Sequence, residues 1–204
     1  MSGERREAVS GRETILDAVR ANRPAGAYPL PDVPSFPPLV GEDLVAEFGE
    51  SLARMGGRIA DGTADDPLAG VRERLASAKV VASAVPEVRG NRDLAAVTLP
   101  RDVDDVDVAV VRSVFGIAET GSVLFTEGEL VVNAVAYLAQ HLVVLLDPAD
   151  ILPNVQAAYL RPEFGRAAYA VLHTGPSATA DIEGVLIHGA QGVRSLTVVL
   201  APRA

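Results

Sequence analysis

The chain has 204 residues, 49% of them hydrophobic, with a formal net charge of −9 and no cysteine. That is enough apolar material for a core burying about 70% of the unfolded surface, in one domain or one domain with an appendage. The acidity weighs against a nucleic-acid partner, and the missing thiols exclude disulfides, thiolate zinc sites and cysteine-ligated iron–sulfur clusters within this sequence.

Met1–Glu7 is charged and has no apolar core of the kind a secretory signal needs, so a cytoplasmic protein is expected. No run approaches the roughly 18 apolar residues of a membrane-spanning helix. Ser10-Gly11-Arg12-Glu13 has capping-box spacing ahead of Ile15, Leu16 and Val19, which predicts a helix ending near Arg20. Six prolines between Pro24 and Pro38 then forbid helix and predict an extended arm, either a strap over the core or a grip on another subunit. These features divide the chain into a helix and proline-rich arm, 1–40, and an α/β domain, 41–204.

Leu44, Phe48, Leu52 and Met55 recur at helical spacing until Gly56-Gly57 stops the helix, and Arg58–Ala60 reads as a short strand. Pro67 introduces a helix through Leu68, Val71 and Leu75, and Lys79–Ser83 reads as a strand. Strands are expected again at Val106–Arg112 and Val123–Phe125, whereas Leu130–Leu138 fits either class. His141–Leu146 is almost wholly aliphatic, as in a strand buried on both faces. A helix over Ile151–Leu160 with Pro153 in its first turn, a strand at Ala167–Leu172, a helix over Ile182–Ile187 and a strand at Ser195–Leu200 follow. Such alternation predicts a largely parallel sheet built from βαβ units.

Two segments carry chemistry. Gly175-Pro176-Ser177-Ala178-Thr179-Ala180-Asp181-Ile182-Glu183 places a tight turn, two hydroxyls and two carboxylates between an expected strand and an expected helix. One reading is a well-capped helix whose acidic residues complement its positive end; the other is an anion site made by hydroxyls and free amides. In Gly116-Ile117-Ala118-Glu119-Thr120-Gly121-Ser122, Glu119 interrupts two apolar stretches. A carboxylate there is exposed in a hairpin turn, paired, or functional, because burying it unpaired is costly. His141, His173 and His188 are scattered and propose no metal centre. The nominated ligand contacts are Glu119, Thr120, Gly121, Gly175, Ser177, Thr179, Asp181 and Glu183, with Glu119 the best candidate for a catalytic group.

Together, Ile117–Ser122 and Gly175–Glu183 resemble the I-A-E-T-G-[TS] and G-P-S-x-T-x-D-I-E motifs of the LUD-domain family, lactate-utilization protein C (LutC/YkgG-like) group. The resemblance runs from about Asp43 to the end of the sequence. It implies a three-layer α/β fold, a mostly parallel sheet with helices on both faces, similar to the NagB/RpiA/CoA transferase-like group. It also implies a part in oxidizing L-lactate to pyruvate beside iron–sulfur protein subunits, with no cofactor of its own. The alternatives are a stand-alone small-molecule enzyme of that fold and a module binding a carboxylate or phosphate metabolite; a homo-oligomer is compatible with each. Two positions depart from the family pattern. Gln191 stands where histidine is usual, and Ala139-Gln140-His141 lacks the proline usual before that strand.

Overall fold

The computed structural model describes residues 11–29, 31–32, 43–180 and 184–203. Contacts divide the chain into two units, Met1–Ser35 and Phe36–Ala204. Helix α1 (Gly11–Ala21) belongs to the first and carries an Arg20–Asp17 ion pair of 2.9 Å on its own surface. Ser10, Pro34, Pro37 and Pro38 lie outside the described residues. No helix among the described residues is long and apolar enough to cross a membrane.

In the second unit, five parallel strands form one sheet in the order β1-β11-β6-β3-β2. They are β1 (Arg58–Ile59), β2 (Val81–Ser83), β3 (Val108–Arg112), β6 (His141–Leu146) and β11 (Ser195–Leu200). The aliphatic run of β6 falls at the centre, where Leu142, Val144 and Leu146 face one core cluster and Val143 and Leu145 the other. Burial on both faces explains why its pattern does not alternate. One face is covered by Val71 and Leu75 of the Pro67 segment, which forms a 3-10 turn and then helix α3 (Arg72–Ser77). The other packs against α2 (Leu44–Arg54), α4 (Glu127–Leu130) and α5 (Val135–Leu138), so helices cover both faces.

The same core cluster takes in Val123 and Phe125 from a second, four-stranded sheet in the order β7-β4-β5-β8. Its strands are β4 (Gly116–Ile117), β5 (Ser122–Thr126), β7 (Ile151–Leu152) and β8 (Ala170–Thr174). Its outer face, with Phe115, Ile117 and Leu124, packs against α6 (Val155–Tyr159) and α7 (Glu163–Arg166).

Two expected helices change. Over Ile151–Leu160, the first two residues are β7, paired in parallel with β4, and helix begins only at Val155. Pro153 supplies no amide, and Asn154 Oδ1 caps α6 by accepting from Ala157 N at 2.8 Å. The helix expected over Ile182–Ile187 is absent at its described residues. Ala178–Thr179 is β9 and Ile187–His188 is β10, an antiparallel pair. Gly184 and Gly189, both at φ +71°, fit a turning chain, and Val185 and Leu186 are exposed, so their apolar spacing marks no buried helical face.

Candidate functional site

The two motif segments meet through backbone pairing. Strands β5 and β8 run antiparallel with Ser122 opposite Thr174, which places the turn that opens β5 beside the turn that closes β8. Hydroxyls join them: Thr120 Oγ1 lies 2.7 Å from Ser122 Oγ, which lies 2.6 Å from Thr174 Oγ1. Ser122 and Thr174 were not among the nominated contacts. Their signal was adjacency, since each directly neighbours a motif glycine.

Both motif glycines seat the end of α2. Asp43 Oδ1 caps this helix at its start, and Gly57 N donates to Leu52 O at 2.9 Å at its end, beside Gly56 at φ +82°. Gly121, at φ +65°, comes so close that a Cβ would lie 2.2 Å from Leu52 N. Gly175, at φ +68°, would put one 2.1 Å from Met55 O. Ser51 of α2 adds a hydrogen bond, its Oγ donating to Glu119 O at 3.2 Å. Glycine is required at both turns by the left-handed backbone and by the approach of another main chain.

Glu119 occupies the four-residue loop of the β4–β5 hairpin and is half-buried. Its Oε2 accepts from Val155 N at 3.1 Å, so the carboxylate caps the first turn of α6 beside Asn154. The charge that looks anomalous in the sequence thus has a backbone amide partner, Val155 N.

On the other side of β8, Gly175 and Ser177 border a cavity of about 430 Å³, with Tyr137, His173, Thr174 and Gln191 in its wall. Glu119 is not among its lining residues. Ser177 is held by its main chain: its N donates to Val193 O at 2.8 Å and its O accepts from Gly189 N at 2.6 Å. Thr179 lies in β9, opposite Ile187. Asp181 and Glu183 lie outside the described residues, and among the described residues no helix follows Ser177 before β10. His173 packs edge-on to Phe125 and Tyr137, at ring-centroid distances of 5.7 and 5.1 Å, and burial lowers its pKa. Burial, aided by a hydrogen bond with Tyr169, pushes the Tyr137 hydroxyl up to about 12. The cavity is therefore lined by neutral groups at neutral pH: hydroxyls, an amide and an uncharged imidazole.

The cavity lies toward the amino-terminal ends of β6 and β11, since Tyr137 and Val193 precede those strands. At the opposite edge, where open α/β sheets usually hold ligands, Arg203 closes the gap between strand ends. Its N donates to Asp147 Oδ2 at 2.7 Å, and its guanidinium reaches Asp150, Ser113 O and Val114 O. Amides of Arg203 and Ala149 hold the Asp147 carboxyl below its ordinary range.

A family model, the LUD domain, matches residues 51–201. No curated protein matches the chain. Among solved structures, it is similar to a crystal structure of a DUF162 family protein from Deinococcus radiodurans. The two are 15% identical over 80% of this chain and 99% of that one, with a TM-score of 0.55, a likeness that shows the fold alone.

Proposed function

This chain belongs to the LUD-domain family, a family associated with lactate utilization, and from that membership we propose that it is a non-redox subunit of an L-lactate oxidation system. Oxidation of lactate to pyruvate removes two electrons and two protons. A sequence without cysteine supplies no thiolate for an iron–sulfur cluster, so in this reading iron–sulfur partner proteins carry the electrons. The family match across both motif segments carries the proposal.

The cavity beside Gly175 and Ser177 suits a small carboxylate, offering hydroxyl and amide donors within apolar walls. Glu119, Thr120 and Gly121 support this region through the hydroxyl chain and the α2 seat, and Thr179 lies in β9, which follows it. Gln191 in the cavity wall provides an uncharged hydrogen-bonding amide where a histidine would titrate.

The test is genetic and biochemical. Deleting the gene in a strain without paralogues should abolish growth on L-lactate, and the tagged protein should co-purify with iron–sulfur proteins. Normal lactate growth of the deletion strain would reject the proposal. In thermal-shift titrations, a metabolite bound at the cavity should stabilise the chain by about 2.7 kcal/mol at 100 times its Kd.

A further inference from the structure

The amino-terminal edge of the parallel sheet carries a second cavity, chemically unlike the first. Three central strands start in register, Val108 of β3 beside His141 of β6 and His141 beside Ser195 of β11. The residues just ahead of them therefore converge. Lys79, Asp107 and Arg194 come from strand approaches, Arg58 opens β1, and Arg74 reaches in from α3. The space they enclose is about 740 Å³, within the range of small-molecule and cofactor sites.

Four cationic side chains line it: Arg58, Arg74, Lys79 and Arg194. None makes an ion pair among the described residues, although seven other arginines do. Arg58 Nε donates only to Thr197 Oγ1, at 3.3 Å. Two carboxylates share the wall, Glu73 and Asp107. Asp107 is engaged, its Oδ2 accepting from Lys79 N at 2.8 Å and Val80 N at 2.9 Å. His141 Nδ1 lies 2.8 Å from Ser195 Oγ, which leaves Nε2 as the unengaged nitrogen of the ring. Burial, then the charges of Arg74 and Arg194, lower the His141 pKa against the opposing pull of Asp107. The cavity is thus a cationic focus in a chain of net charge −9, and a cleft wall concentrates such a field on an incoming anion.

We propose that this amino-edge cavity binds a small molecule carrying two adjacent phosphate groups, with Arg74 and Arg194 as anchors and Arg58 and Lys79 at the rim. Guanidinium forks match phosphate oxygens bidentately, and four cations against two carboxylates leave the wall a net charge of about +2, more than a single carboxylate would match. The site shares no lining residue with the Gly175 cavity and does not depend on the lactate reading.

Inorganic pyrophosphate, titrated calorimetrically into the full chain at low ionic strength, tests the assignment. It should bind more tightly than orthophosphate. Arg74→Gln and Arg194→Gln should each weaken it about tenfold. Arg72→Gln, which removes a neighbouring arginine paired with Asp66 instead, should leave the affinity unchanged. Because His141 faces Arg74, Arg194, Asp107 and Ser195, bound pyrophosphate should raise its imidazole pKa as followed by NMR, a shift that a purely structural cluster would not produce. Lys79→Gln, an exposed change that spares the fold, provides a further variant and should also weaken binding. No measurable pyrophosphate binding, an unmoved His141 titration, or wild-type affinity in the Arg74→Gln and Arg194→Gln proteins would overturn the proposal.

Discussion

Replacing Gly175 by alanine probes the seat that joins the motif turns to α2. An ideal Cβ at this position would lie 2.1 Å from Met55 O and 3.0 Å from Met55 C. The obstacle is main chain, and it is pinned: Gly56 N donates to Ala53 O and Gly57 N to Leu52 O, at 3.0 and 2.9 Å. Holding an alanine at φ +68° costs about 1–2 kcal/mol, and overpacking against a fixed neighbour adds about 1–3. The expected loss is therefore about 2–5 kcal/mol, read as a lowered urea midpoint at unchanged slope. Gly121→Ala should behave alike, because its Cβ would meet Leu52 N at 2.2 Å. The two changes push on the same helix end, so the double variant should cost less than their sum. Gly165→Ala in α7, with no heavy atom within 4 Å of its Cβ, should stabilise by about 0.5–1 kcal/mol. A loss below about 1 kcal/mol for Gly175→Ala would refute the idea that backbone approach dictates this glycine.

Glu119→Ala removes the acceptor at Val155 N and should destabilise by about 0.5–2 kcal/mol, whereas Glu119→Gln keeps an acceptor and should cost less; equal stability of wild type and Glu119→Ala in urea melts would refute the capping role. The lowered pKa of His173 means the unfolded chain binds a proton that the folded chain resists. Stability should then decline as pH falls below about 6.5 and level off once the folded-state pKa is passed. His141 acts in the same direction, so His173→Gln should remove part of that acid slope and not all of it; an unchanged pH profile would contradict the assignment. Tyr137 should ionise near 12 in a spectrophotometric titration, and Tyr169→Phe, which removes its hydrogen-bonding neighbour, should lower that value.

Much of the parallel sheet was legible because its signal is local. His141–Leu146 and Ser195–Leu200 form strands over their expected spans, and α2 stops at Gly56-Gly57 as its glycines predict. Misreadings came where short-range pattern competed with long-range pairing. Ile151 and Leu152 read as helix, yet they complete the edge of the second sheet beside Gly116 and Ile117. Apolar spacing around Val185 read as a helix, yet these side chains stay exposed while β9 pairs with β10. Leu130–Leu138 fits neither class alone because it joins the last residue of one single-turn helix, α4, to a second, α5, through a turn that holds Val131 at φ +59°.

Residue order alone determined the family motifs, the class of fold and the places where only glycine serves, since each depends on neighbours along the chain. Strand order, the contact between two motif turns some fifty residues apart, and the edge of the sheet that stays open were settled by tertiary structure. Glu119 shows the difference: its sequence position marks a costly charge, and only the folded chain brings the Val155 amide to it. The same holds for Arg74 and Arg194, brought to one cavity by crossovers that no local periodicity encodes, because packing and register are set between segments distant in sequence.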